Sequence, residues 1–294
     1  MSNTNEFLNK IQKHLNGNIS QIELSHLNKD LETVLDRLEK DEYKKSGFNV
    51  NKFNVPDRTR EFYIYLQFYC EIGQNWTPLL KAIDINKYKE VVDLCPGYTP
   101  KIELALFYSG YKGKVIAIDK DIDSPKRLVK FMELFNPPFK TIPEKIDLFD
   151  HFKSKYKVII GNHIIDDLVV DLYCKKWGIS KTEIYEKEGA ITNLWAKILK
   201  DKDKNLAECL TKLVDIFERI TAKNGIILMS QYKSYMEKLL NLDEAARFSR
   251  TLFKMIIKEL CKIGFVNEQN LVQKALKNYK GHFGINDCCI LRKL

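Results

Sequence analysis

Val91-Val92-Asp93-Leu94-Cys95-Pro96-Gly97-Tyr98-Thr99-Pro100 is the stretch on which the fold turns. An apolar run that ends in an acid and passes into a Pro- and Gly-containing turn reads as a strand that stops and enters a helix. Pro100 suits the first helical position and Thr99 the cap before it. Such a turn leaves free N–H groups and the positive helix end facing any anion above the sheet. Gly97 has no side chain, so a ligand can approach the backbone there. The next apolar run, Val115-Ile116-Ala117-Ile118, also ends in an acid, Asp119. A carboxylate at that strand end can accept two hydrogen bonds from a ribose diol.

Working outward, apolar runs alternate with helical patterns. Strands are expected at 88–94, 114–119 and 156–160, with helices at 100–108, 123–135 and 164–173 between and after them. Strand-helix alternation argues for a parallel sheet covered on both faces. Residues 174–223 read as a helical insert, in which Ser180-x-x-Glu183 has the form of a capping box and Ile184, Ile191, Leu194, Trp195 and Ile198 supply the apolar positions. A helix at 206–220 leads through Asn224-Gly225 to a strand at 226–231. A helix at 243–263, a short strand near Phe265 and a last strand at 287–294 close the chain.

The first 86 residues read differently. Ile22, Leu24, Leu27, Leu31, Val34, Leu35 and Leu38 form an amphipathic stripe, and the polar stretch 44–56 breaks it. Asp57 is placed to cap a second helix at 58–72, rich in Phe62, Tyr63, Tyr65, Phe68 and Tyr69, and Thr77-Pro78 restarts a short helix through Ile83. The expected division is a helical N-terminal region, 1–86, followed by a nucleotide-binding domain, 87–294.

Composition sets bounds on function. The 294 residues, 45% hydrophobic and 30% charged, are enough to bury a large core. No run of about 18 apolar residues is present to span a bilayer, and the first residues lack the apolar block of a signal peptide, so a cytoplasmic protein is expected. The seven cysteines include no C-x-x-C and the five histidines no H-x-x-x-H, so neither a zinc site nor a disulfide framework is expected. A net charge of +9 is compatible with RNA, yet the excess is lysine dispersed among acids, without an Arg-rich tract.

A dinucleotide is the rival ligand for the 91–100 turn, and it normally requires G-x-G-x-x-G for its pyrophosphate. Here one glycine stands in the turn, and Asp93 would repel phosphate. An acid suits a ligand with an ammonium or a sulfonium. With both acids and Gly97 in register, the segment resembles the class I S-adenosylmethionine-dependent methyltransferases. In that family an acid ending the first strand precedes a Gly-rich turn around the methionine part, and an acid ending the second strand binds the ribose.

The resemblance covers 88–173 and, by strand pattern alone, 224–294. It implies a Rossmann-like, doubly wound, mostly parallel seven-stranded α/β sheet with the helical insert between the fourth and fifth strands. It also implies S-adenosylmethionine as cofactor, released as S-adenosylhomocysteine, with Asp93, Cys95, Pro96, Gly97, Asp119 and Lys120 around it. Asp147 and Leu148, after the third strand, would hold the adenine, and Asn162 would lie at the substrate-facing motif after the fourth. Cys95, Pro96, Tyr98 and Thr99 stand where the family has more glycine.

Methyl transfer is an in-line displacement, so the protein chiefly aligns the nucleophile and, where needed, removes its proton. His163 is the candidate base near the acceptor, with Asp166 and Asp167 able to orient it; alternatively, Asn162 caps the helix that follows and the two acids favour its positive end. Tyr63 and Tyr65, with Trp177, Tyr185 and Trp195 of the insert, are candidates to cover the acceptor, although core packing accounts for most such aromatics. Ser230-Gln231-Tyr232 offers no acidic cluster, so no metal is expected, and Gly161-Asn162-His163-Ile164 lacks the Asn/Asp-Pro-Pro-Tyr/Phe signature of enzymes that methylate nucleic-acid amino groups. A small-molecule acceptor is the first expectation. RNA methylation, or a non-catalytic protein that binds the cofactor or a partner, are the others.

Overall fold

Strand residues alternate between two buried faces, and both faces are apolar. Val91, Val115, Ala117, Val158, Ile160, Ile226, Leu228 and Ile290 point into one core, and Val92, Leu94, Ile116, Ile118, Ile159, Ile227, Met229 and Leu291 into the other. A sheet apolar on both sides must be covered on both sides, and its strands then read as continuous hydrophobic runs. The computed structural model describes residues 66–294 apart from 134–136, 151–153, 181–183, 185–188, 235–236, 239 and 280. The amphipathic stripe near the N-terminus, Tyr63, Tyr65, Tyr185 and Glu183 of the expected capping box therefore lie outside the described residues.

In chain order the described elements are α1 (Leu66–Ala82), β1 (Glu90–Leu94), α2 (Lys101–Tyr108), β2 (Lys114–Asp119), α3 (Asp123–Glu133), β3 (Lys140–Lys145), β4 (Tyr156–Asn162), α4 (Ile165–Trp177), α5 (Ala190–Lys200), α6 (Lys202–Ile220), β5 (Thr221–Ser230), α7 (Asp243–Lys262), β6 (Phe265–Asn267), α8 (Gln269–Leu276) and β7 (Cys288–Lys293). The seven strands lie in the order β3-β2-β1-β4-β5-β7-β6. Neighbours from β3 to β5 are parallel, and β7 runs antiparallel to both β5 and β6. This is the doubly wound, mostly parallel α/β sheet that the resemblance implied. The chain steps outward from β1 through β2 to β3, then returns to lay β4 on the other side of β1. In open α/β sheets ligands bind at the carboxyl ends of the strands where the order reverses. Here that point lies between β1 and β4.

One core takes its helical cover from α4, α5, α6 and α7, through residues such as Leu168, Trp195, Phe217 and Phe248. The other takes it from α1, α2, α3 and α8, through Trp76, Leu104, Leu128 and Val272. Trp195 is buried against Phe248, with ring centroids 5.9 Å apart. Trp177 packs on Tyr173 at 4.7 Å. Both rings pack against the apolar faces of α4, α5 and α7, the core-packing alternative for these aromatics. No described helix is long and apolar enough to cross a membrane.

Four local expectations are corrected. The break at Thr77-Pro78 is absent, because α1 runs through Pro78 and the Thr77 hydroxyl donates to the Gly73 carbonyl at 2.9 Å, within the same turn. Thr99 does not cap α2: its hydroxyl donates to the Pro96 carbonyl at 3.0 Å, and Pro100 itself occupies the cap position. The fifth strand begins earlier than 226, at Thr221, with a register irregularity where its pairing to β4 skips from Tyr156 to Val158 and Asn224 turns left-handed at φ 57°. Helix α8 fills a stretch in which no element was expected.

Helix α1 packs so closely on α2 that a Cβ on Gly73 would stand 3.0 Å from the Leu104 Cβ and 3.2 Å from the Ala105 nitrogen. Gly73→Leu is therefore expected to push the helices apart and cost about 1–3 kcal/mol, the range for overpacked sites, read as a lowered thermal midpoint. An unchanged midpoint would mean that α1 does not dock there.

Candidate functional site at the carboxyl edge of the sheet

At the switch point β1 delivers Asp93, and β2, in register one strand over, delivers Asp119 just beyond the Leu94↔Ile118 pair. Both are nearly sealed from solvent. The turn after β1 is tied to β2 by the Cys95 N–H, which donates to the Ile118 carbonyl at 2.7 Å. Gly97 then donates its N–H to Asp119 Oδ2 at 3.2 Å, while Asp119 Oδ1 accepts the Asp121 N–H at 3.0 Å. Cys95 and Gly97 are both left-handed, at φ 52° and 59°. A turn that normally draws on several glycines thus keeps its glycine-like backbone although cysteine occupies one of the positions, at a cost of about 1–2 kcal/mol. A Cβ on Gly97 would meet nothing within 4 Å, so open space lies beside this backbone.

Beneath Asp93 lies a residue that sequence reasoning missed. Glu103, in the first turn of α2, is fully buried, and its carboxyl faces that of Asp93. Burial, reinforced by the Glu103 charge, holds Asp93 well above the usual carboxylate range, and burial pushes Glu103 up to about 7. The available signal was an acid within Ile102-Glu103-Leu104-Ala105-Leu106, every residue of which is buried.

At the end of β4 a polar cluster forms. Asn162 pairs with Ser230 of β5 in the strand register. Its Oδ1 accepts the Trp76 indole N–H at 2.8 Å and the Ser230 hydroxyl at 3.2 Å. Trp76 packs on Phe283 at 5.4 Å, and Phe283 stacks on Tyr232 at 5.5 Å. Asn162 thus ends the strand rather than capping α4, whose first described cap residue is Ile164. The Ile165 N–H is met instead by Gln231 Oε1 at 3.1 Å.

His163 is left-handed at φ 58° and buried. Its Nδ1 lies 3.0 Å from Asp166 Oδ1. Its Nε2 lies 2.7 Å from the Tyr232 carbonyl oxygen and 3.3 Å from Glu237 Oε2. Burial alone would lower its pKa, but Asp166 and then Glu237 outweigh it and hold the ring well above its ordinary value. Carboxylates on opposite sides of the ring favour its protonated form, while the Gln231 amide nitrogen also lies 3.4 Å from Nε2. A ring held toward its protonated form is poorly suited to act as a base, and Asp166, expected to orient it, is its ion-pair partner. His163, Asp166 and Glu237 are also near enough together to hold a cation, but the two carboxylates flank opposite ring nitrogens instead of converging on one point, which is the arrangement of an ion-paired imidazolium.

The raised His163 pKa makes a stability contribution that is complete below the unfolded value, about 6.5, and is lost as pH rises through the folded value. Asp166→Asn is expected to bring the ring's titration down toward its ordinary value in nitrogen NMR shifts and to flatten the loss of stability above neutrality. A ring that titrates unchanged in the variant would show that Asp166 does not hold the charge.

The remaining expected cofactor residues are distributed less favourably. Lys120 pairs with Asp171 of α4 at 3.0 Å, which draws it away from the turn. Leu148 is buried in the core, so only its backbone faces polar groups, the carbonyl accepting from Arg219 at 3.1 Å. Asp147 accepts the Phe149 N–H at 2.9 Å and pairs with Lys175 at 3.1 Å. It stays near Asp119, whose carbonyl accepts the Ile146 N–H at 2.9 Å. Pro96 sits in the turn between Cys95 and Gly97, its carbonyl also accepting the Thr99 N–H at 3.2 Å.

Compared by sequence, the chain matches no described protein family and no curated protein. Solved structures to which it is similar include an S-adenosylmethionine-dependent methyltransferase from Clostridium acetobutylicum, at 12% identity and a TM-score of 0.32 over 55% of this chain and 52% of that one. A SAM-dependent O-methyltransferase from Thermotoga maritima aligns at 10% identity and a TM-score of 0.40, over 74% of this chain and 64% of the other. The plantazolicin methyltransferase BpumL, solved in complex with SAH, aligns at 10% and 0.42 over 91% and 99% of the two chains. The chain spans about half of the first of these structures and under two thirds of the second. Likenesses this low leave the chemistry of this chain to be argued from its own residues.

Proposed function

We propose that this chain binds S-adenosylmethionine and transfers its methyl group to a small-molecule acceptor. The observation that carries the reading is the pair of strand-end acids at the switch point, with Asp119 accepting the N–H of a turn glycine that has open space beside it. A phosphate cradle would present N–H donors without acids, and a nucleoside with a cationic tail fits the acids better. Asp119 would hold the ribose hydroxyls, the backbone of Cys95, Pro96 and Gly97 would line the amino-acid portion, Asp93 would face its positive charge, and Asp147 would lie toward the adenine. The cofactor supplies an electrophilic methyl on a sulfonium.

This chain's own residues align and shield. Asn162, Ser230, Trp76 and Tyr232 form the polar and aromatic wall at the ends of β4 and β5, where an acceptor would sit. Each has its polar groups committed to a neighbour, which restricts rotation and favours a fixed line of approach. His163 contributes charge and position, so an acceptor that must lose a proton would give it to water or to Asp166, not to the imidazole.

Titration calorimetry with S-adenosylmethionine and S-adenosylhomocysteine, with NAD as control, tests the pocket. Binding of the first two at micromolar concentration and not of NAD is expected. Binding of NAD alone, or of none of the three by folded protein, would overturn the reading. The net charge of +9, though dispersed, leaves RNA as the second acceptor class. Retention on structured RNA that weakens steeply with salt would move the acceptor to that class, and cofactor binding without transfer to either would leave a binding protein.

A further inference from the structure

The acid pair under the turn is costly and the fold does not need it. Glu103 is fully buried, and the Asp93 carboxyl is the side-chain group that its own carboxyl meets; no other hydrogen-bond partner reaches it among the described residues. Asp93, only 2% exposed, stands against it at the end of β1. The charged groups facing Asp93 are Glu103 and Lys101 from α2 and Asp119 from β2, so the environment holds more negative charge than positive. Two carboxylates side by side in a dry site do not both ionise. An apolar residue at 103 would fill the same space without that cost, as its neighbours Ile102 and Leu104 do. The pair lies directly below the turn that would receive a ligand's charged end, and an arriving cation would turn the penalty into an attraction.

We propose that Asp93 and Glu103 hold one proton between them in the free protein and release it when the ammonium group at the amino-acid end of the cofactor binds, Glu103 being a positioning residue that acts through Asp93. This rests on the cofactor reading above and deepens it. The O–H bond of the protonated carboxyl breaks, its electrons stay on the oxygen, the proton leaves to solvent, and the ligand's ammonium takes its place. Selectivity for the ammonium follows: a ligand that lacks it gives the ionised pair no counterion. Linkage gives the sign. Because binding expels a proton, affinity rises with pH while the free pair is protonated, by up to about tenfold per pH unit for one whole proton. It falls again once the ligand's own amino group deprotonates, near or above about 8.

The test is calorimetry of the full chain with S-adenosylhomocysteine at mildly acidic and at neutral pH, in buffers of different ionisation enthalpy. Release approaching one proton per ligand is expected at the acidic end. In Glu103→Gln the amide can donate to an ionised Asp93. The release should then fall toward zero, and binding at mildly acidic pH should become severalfold tighter than in the wild type. A second measurement needs no variant: the infrared band of a protonated buried carboxyl should be present in the free wild-type protein at neutral pH and vanish on ligand addition. Intact binding with no proton release, or no such band in the free protein, overturns the acid pair and leaves the cofactor reading standing. Failure of folded protein to bind at any pH overturns both.

Discussion

Asp119→Ala is expected to weaken S-adenosylmethionine and S-adenosylhomocysteine binding by about a hundredfold while leaving the protein folded. Hydrogen bonds to a charged group contribute about 1.5–3 kcal/mol each, and a ribose diol would make two of them. Losing both corresponds to at least two factors of ten, at roughly 1.4 kcal/mol for each. The same carboxylate also anchors two backbone N–H groups, of Gly97 and Asp121, so alanine also frees the turn that would line the ligand. Asp119→Asn keeps one acceptor and the shape, and should fall between the two. Calorimetric titration gives the affinities, and far-ultraviolet circular dichroism reports the fold. A variant that binds like the wild type would remove Asp119 from the site and leave the ribose without its expected partner.

Trp76→Ala is the second large effect, and it is one of stability. The indole is fully buried, packs on Phe283 and donates to Asn162. Truncating such a side chain costs about 3–5 kcal/mol, a large share of the roughly 5–15 kcal/mol that holds a domain folded. Trp76→Phe separates the two contributions. It keeps most of the apolar body and removes one donor, leaving the Asn162 oxygen to the Ser230 hydroxyl, so it should cost about 0.5–1.5 kcal/mol. Denaturant midpoints of the three proteins measure this directly. A wild-type midpoint for the alanine variant would mean that α1 stands outside the core, and with it the case that the helix helps to build the acceptor wall.

The strands were legible where apolar runs stop at an acid or a turn. β1, β2 and β4 all announce themselves in this way, because a strand buried on both faces admits little else. β3 does not: Lys140-Thr141-Ile142-Pro143-Glu144-Lys145 is polar and holds a proline, which is tolerated because the strand lies at the sheet edge. The switch-point acids could be read because their position relative to a strand end is a local property. His163 was visible as a residue, but not the second carboxylate beside it. Its charge is favoured by the nearby Asp166 and, beyond what the local sequence shows, by Glu237, more than seventy positions away. Trp76 and Glu103 carried weak signals, since an aromatic in a helix and an acid in a short helical run each have an ordinary surface reading.

By itself the sequence determined most of the strands other than β3, that the early ones form a two-sided parallel sheet, and that acids end the first two of them, because hydrophobic periodicity and turn chemistry act over a few residues. Only the tertiary structure decided which charges are real. Asp93 meets Glu103 in a buried site, His163 lies between two carboxylates and Lys120 pairs with Asp171, because exclusion of water and approach across the fold set the energy of each ionised form, and neither is written in the order of the residues.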